Sequence, residues 1–150
     1  MVEEVADVVD LNGEYRFKAD SKGRVSLPAK FRKVLSSDLV VTKSLDDQCI
    51  YAFEVPAFNS WVAQLFEDRF GGYSASNREH SRLRTALKAR AFDVQVDNAG
   101  RIMIPADQRV TAGIDKDVVI VGNTGYFEIW DAERYDAMNS EIDLGVLFSS

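Results

Sequence analysis

The chain has 150 residues, a net charge of −6 and a 46% hydrophobic composition, enough for one compact domain or two small ones around a sizeable core. Its single cysteine, Cys49, excludes an intramolecular disulfide, and no apolar run approaches the roughly 20 residues that span a bilayer. The acidic start, Met1–Asp7, lacks the basic and apolar stretches of a signal peptide, so a soluble cytoplasmic chain is expected, with Cys49 a small buried residue in a reducing compartment.

Taken from the N-terminus, residues 1–12 are predicted to form a loose tail. The alternation Glu14-Tyr15-Arg16-Phe17-Lys18 then predicts a strand. Asp20-Ser21-Lys22-Gly23 follows, with Asp first and Gly fourth, the preference of a type I turn whose carboxylate accepts from its own backbone amides. A second short alternation points Val25 and Leu27 inward and Arg24 and Ser26 outward. Pro28 stands where a helix begins, since its missing amide costs nothing in a first turn. Between Tyr15 and Lys33 lie seven cations, Arg16, Lys18, Lys22, Arg24, Lys30, Arg32 and Lys33, against one acid, Asp20. This segment carries +6 and leaves −12 for the remainder. A concentrated basic face on an acidic body points to an anionic partner.

Two β-rich pieces are predicted near 39–43 and 49–53. Phe58, Trp61, Val62, Leu65 and Phe66 then recur at helical spacing, an apolar stripe that serves as core or as subunit interface, and Gly71-Gly72 ends the helix. Ser76-Asn77-Arg78-Glu79 fits a capping box opening a further helix over 77–90. That helix presents Arg78, Arg82, Arg84 and Lys88, as a solvated face, a subunit interface or an extension of the basic track. His80 has no Cys or His companions in sequence, so no metal site is expected.

From Phe92 the plan repeats. Asp20–Ala29 recurs without a gap as Asp97–Ala106, 77 residues on, and the match extends from Arg32 to Arg109. Asp38–Val41 is echoed by Asp117–Ile120, and Ile50–Glu54 by Phe127–Asp131. Ile102 and Ile104 form the second inward pair, and strands are predicted near 117–121 and 126–130. The last helix starts near Asp131 and buries Tyr135, Met138 and Ile142, with 144–150 again loose. Two copies imply two similar halves and not a solenoid. The expected division is 13–60 and 92–138, joined by helices within 61–91.

Asp-x-x-Gly-Arg-x-x-[Leu/Ile]-Pro-Ala, carried twice, resembles the AbrB-like DNA-binding module. Two copies over about residues 12–138 resemble the MraZ family, with further matches at Gly13-Glu14-Tyr15, Val41-Thr42-Lys43, Lys116–Gly122 and Phe127–Asp131. The resemblance implies a mainly β, α+β fold. It would be a swapped-hairpin, double-psi AbrB-like barrel built from two tandem pseudo-symmetric modules, with flanking helices. It implies a ring-shaped homo-oligomer, nucleoid-associated, that regulates transcription without a cofactor. The ring would bind double-stranded DNA at direct repeats upstream of its own division and cell-wall operon. The family's Asp-x-x-x-Arg pairs fall on Asp20/Arg24 and Asp97/Arg101. The chain departs from the pattern in its acidic extension before Gly13, and in Ala99 and Met103 where the first copy has Lys22 and Ser26. The second motif, Asp97–Arg109, is neutral, so unequal use of the halves is expected.

The residues expected on DNA are Arg24, Lys22, Arg16, Lys18 and Arg101, with Asp20 and Asp97 as turn-formers that orient the arginines. An exposed Asp–Arg pair stabilises little, a weak reason to repeat it. Arg32 and Arg109 are expected to pair with carboxylates. A repeated Asp in a barrel also suggests an aspartic-protease dyad. The Asp-[Thr/Ser]-Gly elbow is absent, however, and an arginine beside each carboxylate holds it ionised. With no Gly-rich phosphate loop and no Ser-His-Asp set, neither an enzyme nor a small-molecule substrate is expected. The alternative is a protein-binding barrel of antitoxin type, a class that carries a long partner-binding tail after one barrel copy.

Overall fold

A computed structural model describes residues 8–149. Along the chain run β1 (Glu14–Lys18), β2 (Arg24–Ser26), α1 (Ala29–Val34), β3 (Asp38–Lys43), β4 (Ile50–Glu54), α2 (Val55–Phe70) and α3 (Arg78–Ala89). The second half supplies β5 (Phe92–Gln95), β6 (Arg101–Met103), α4 (Ala106–Ala112), β7 (Asp117–Gly122), β8 (Tyr126–Asp131) and α5 (Ala132–Ser140). Six strands form an antiparallel sheet in the order β1-β7-β8-β4-β3-β5, while β2 pairs with β6.

The pairing exchanges strands between the halves. β1 lies on β7, β5 lies on β3, and β4 meets β8, so both edges of each copy's central hairpin, β3–β4 or β7–β8, are completed by the other copy. The ladder itself is open, with β1 and β5 at its edges. The edge strands lead into β2 and β6, which pair with each other as a separate two-stranded ribbon. This is the α+β architecture expected of swapped hairpins.

The core explains why β3 and β7 read as near-continuous apolar runs and not as alternations. Inward positions Leu39, Val41, Val118 and Ile120 join Val25, Leu27, Ile102, Ile104, Phe31 and Phe127 in one buried cluster. Outward positions are buried as well. Val40 and Phe53 lie under Phe58, Val62 and Phe66 of α2, and Val119 and Trp130 lie under Tyr135 of α5. A strand covered on both faces has no polar side to show. Val25 and Ile102 sit opposite each other in the β2–β6 register, where the two halves meet.

Some expectations shift. The cap of α3 is Asn77 and not Ser76: its side chain accepts from the His80 amide at 3.2 Å, one residue further on. Ile142 is exposed, because α5 stops at Ser140. Of the tail expected over 1–12, residues 1–7 lie outside the described residues. Leu11 is buried and its amide donates to the Asn123 carbonyl at 3.1 Å, while the Val9 carbonyl accepts from Gly125 at 2.7 Å. Residues 144–147 form a 3-10 turn, and Ser150 is outside the description. Cys49 is buried as expected, and burial pushes its thiol pKa well up.

Candidate nucleic-acid interface

The two Asp-x-x-Gly-Arg turns are built alike. The Gly23 amide donates to the Asp20 carbonyl at 3.0 Å, and the Gly100 amide to Asp97 at 2.9 Å. Both glycines adopt a left-handed backbone, φ 81° and 80°, that an L side chain resists. Asp20 Oδ1 accepts from the amides of Lys22 and Arg24 at 3.0 and 2.8 Å, and its Oδ2 from Arg24 Nε at 2.6 Å. Asp97 takes the amides of Ala99 and Arg101, both at 2.9 Å, and Arg101 Nε at 3.1 Å. The amide of each arginine does most to hold its carboxyl below the usual carboxylate range, and the guanidinium adds to it. Each carboxylate therefore stays ionised and binds the inner nitrogen of its arginine. The terminal nitrogens of Arg24 have no hydrogen-bond partner among the described residues and remain for a ligand.

The β2–β6 register brings the two turns together. Arg24 lies opposite Met103, and Ser26 opposite Arg101. With Val25 and Ile102 inward, the alternation puts Arg24, Ser26, Arg101 and Met103 on one outward face. Arg101 Nη1 also lies 4.0 Å from Asp20, so the arginine of the second turn meets the carboxylate of the first. Arg24 and Arg101 are about one-third exposed, at 31% and 33% of the side chain. That exposure leaves both within reach of a ligand while their orientation is fixed.

A cross-brace sits behind this face, and it revises the expectation for Arg32 and Arg109. Neither arginine is within ion-pair distance of a carboxylate among the described residues. Arg109, from α4, lies against Gly23 of the first turn, and Arg32, from α1, lies against Gly100 of the second. A Cβ at either glycine would strike the guanidinium. The Arg109 Nε donates instead to the Ile104 carbonyl at 3.1 Å. Backbone bonds repeat the exchange: Leu27 donates to the Gly100 carbonyl at 2.9 Å and Ile104 to Gly23 at 3.0 Å. Each half thus positions the arginine turn of the other. The extension of the repeat to Arg32 and Arg109 was the sequence signal, but only the swapped topology shows what they touch.

The remaining cations divide. Lys22 stands exposed at the turn tip, and neither it nor Lys30 nor Lys33 makes an ion pair among the described residues. Lys18 Nζ lies 3.6 Å from Asp117. Arg16 is taken. Its terminal nitrogens donate to Asp136 at 2.7 and 3.3 Å, and its Nε to Glu14 at 3.3 Å. The cause is the pleat of β1, which sends Tyr15 and Phe17 to the core and Arg16 to the α5 side. On α3, Arg84 stacks over the Tyr73 ring at 4.1 Å, and Lys88 bonds Asn59 at 3.0 Å. His80 is buried against Phe66 and Phe70, its Nδ1 accepting from the Ser74 amide at 3.0 Å. Among the described residues no group of three potential metal ligands gathers, and no helix is long and apolar enough to cross a membrane.

Comparison with known sequences matches this duplicated arrangement. The family model described as "MraZ protein, putative antitoxin-like" aligns twice, with residues 11–76 and again with 87–146. The chain belongs to the MraZ family. A protein named transcriptional regulator MraZ from Lachnoclostridium phytofermentans is 38% identical over 125 residues, covering 83% of this chain and 84% of its own. Its namesake in Limosilactobacillus fermentum is 35% identical over 135 residues, covering 87% and 90%. The one in Dehalococcoides mccartyi is 33% identical over 125 residues, covering 83% and 84%. The two MraZ family matches each contain one Asp-x-x-Gly-Arg turn, and the fold joins those turns on a single face.

Proposed function

We propose that this chain is a sequence-specific DNA-binding transcriptional regulator that reads DNA through the outward face of the β2–β6 ribbon. The observation that carries the reading is the pair of arginines on that face, each gripped at Nε by a carboxylate, with the terminal nitrogens of Arg24 unpartnered among the described residues and Arg101 Nη1 4.0 Å from Asp20. A two-stranded ribbon fits the major groove, and an arginine fork matches the O6 and N7 acceptors of guanine. Arg24 and Arg101 are the reading residues, Lys22 neutralises a phosphate, and Asp20 and Asp97 aim the arginines without touching DNA. Lys18 stays near the phosphates as a minor contact. Arg16 belongs to the junction of β1 and α5.

The targets are direct repeats upstream of the chain's own operon for division and cell-wall synthesis. Several subunits of a ring engage successive repeats, and effective concentration makes a modest single contact selective. Such a regulator works in the cytoplasm, at the nucleoid, without a cofactor and without catalysis. The test is footprinting on the chain's own upstream region, with a gel shift on one repeat against several. Protection of spaced repeats, with much tighter binding to several than to one, is the expected result. Equal affinity removes the avidity argument. Absence of protection, with a protein recovered by pulldown in DNA-free conditions, favours an antitoxin-type binding barrel instead.

A further inference from the structure

Met103 stands on the outward face of the β2–β6 ribbon, and the arginine reading leaves it unused. Its side chain is 54% exposed, while its chain neighbours Ile102 and Ile104 are buried, as are Val25 and Leu27 of the first copy. It joins none of the three apolar clusters of the described residues, so the fold gains little from an apolar group there.

A lone exposed methionine is ordinary on a protein surface. The register sets this one apart. Met103 lies directly opposite Arg24 in the ribbon. Side chains paired in this way stand about 4.5–5.5 Å apart at Cβ on one face. Successive nucleotides of a DNA strand are about 3.4 Å apart. A side chain beside Arg24 therefore falls on the base pair next to the one that Arg24 reads.

The other arginine has a different companion. Ser26 is the counterpart of Met103 in the repeat, and it lies opposite Arg101. A hydroxyl donates and accepts, so it suits any base edge. A thioether has no donor and is a weak acceptor. The apolar group that the major groove presents is the C5-methyl of thymine. An unbranched, polarizable side chain adapts readily to such a contact.

We propose that Met103 packs on the thymine methyl of the base pair adjoining the guanine that Arg24 takes. The Arg24 side of the ribbon then selects a guanine and a neighbouring thymine together, and the Arg101 side, with Ser26 as its companion, makes no demand for a methyl. This rests on the ribbon being the DNA surface, and it names part of what that surface selects.

Deoxyuridine tests it, because it keeps every hydrogen-bonding group of thymidine and lacks only the methyl. The chain's own upstream region is made as a duplex with thymidine or with deoxyuridine throughout, and the two are compared in gel shifts. The unsubstituted chain should bind the thymidine duplex at least about fourfold more tightly, the effect of burying one methyl. Met103→Gln keeps the length of the side chain and replaces its apolar end. It should fold as before by circular dichroism and bind the two duplexes alike. Equal affinity of the unsubstituted chain for both duplexes overturns the proposal. So does a preference that Met103→Gln retains, since the methyl then acts through the shape of the DNA. Arg24→Ala separates this proposal from the reading beneath it. If Arg24→Ala loses both duplexes while the unsubstituted chain binds them equally, the ribbon reads DNA without Met103. If Arg24→Ala keeps its affinity for both, the ribbon is not the DNA surface and the proposal falls with it.

Discussion

At the Asp20–Arg24 turn a carboxylate takes two amides and one guanidinium Nε, the last at 2.6 Å; at Asp97–Arg101 the same three bonds form, the last at 3.1 Å. Around that shared skeleton the charges diverge. Lys22 is matched by Ala99, Lys30 by Asp107, Lys33 by Val110 and Lys18 by Gln95. The residues the two copies share are those that build and brace the turn: Asp, Gly, Arg, and the distant Arg32 or Arg109. The residues they do not share set the potential around it. Geometry and charge are separable here, so the two arginines can be equally well aimed while only one stands in a field that draws DNA.

The largest effect should come from Arg24→Ala, which we expect to abolish specific binding while fold and assembly persist. One bidentate base contact is worth about 1–3 kcal/mol, and in an assembly the loss recurs at every engaged subunit. Arg101→Ala should cost less, because its turn lacks a lysine and its surroundings are neutral. Gel shifts over a salt series, with circular dichroism and size exclusion on each variant, measure both. Equal damage would show that geometry alone decides and that both halves read DNA. Retained affinity in both variants would remove the ribbon face from the DNA surface.

Gly23→Ala should come next, and it probes the skeleton. It sets a side chain at φ 81° and against Arg109, so it should destabilise by more than about 1 kcal/mol in a chemical melt. Pairing it with Arg109→Ala should recover the steric part and leave the backbone strain. No recovery would mean that Arg109 does not brace the turn. The carboxylates sharpen the same point through pH. Their folded pKa values are lowered, so their contribution is present above the ordinary carboxylate range and is lost as pH falls through the lowered value. Side-chain carboxyl NMR shifts of Asp20 and Asp97 should stay those of the ionised form through the ordinary range. Titration at the ordinary value would mean that the turns do not hold their carboxylates.

Lys22→Ala should weaken all sequences alike and lower the salt slope by about 0.9 per engaged subunit, the signature of one lost phosphate contact. Ala99→Lys should raise the slope by as much if the second turn also faces DNA. A slope unmoved by Ala99→Lys, together with a drop from Lys22→Ala, would locate the asymmetry at the turn tips.

Much of this was legible in the chain. Val25 and Leu27 alternate, Ile102 and Ile104 repeat them, and the four are buried together, because inward alternation needs no knowledge of which strand lies opposite. The tight Asp-x-x-Gly-Arg turn was legible because its bonds span five residues. What depends on strand exchange was not. Arg32 meets Gly100 from the other end of the repeat, and nothing local to Arg32 names that glycine. The α3 cap moved from Ser76 to Asn77 because both are capping residues and the first turn decides between them.

Arg16 makes the smallest and most discriminating prediction. By sequence it opens the run of seven cations. In space β1 turns it to the α5 side, where Asp136 and Glu14 neutralise it. If proximity to the basic segment were enough for DNA contact, Arg16→Ala should lower affinity and the salt slope as Lys22→Ala does. If the pleat decides, affinity and slope should both stay unchanged. The effect should then appear in a thermal melt, and it should be small, because the pair is exposed and salt-screened. Asp136→Ala supplies the control. It frees Arg16 from its main carboxylate without removing the cation. Unchanged DNA binding in both variants would confine the reading surface to the turns and the ribbon. A gain in Asp136→Ala that disappears when Arg16→Ala is added would show that the freed guanidinium can reach DNA, and that α5 normally withholds it.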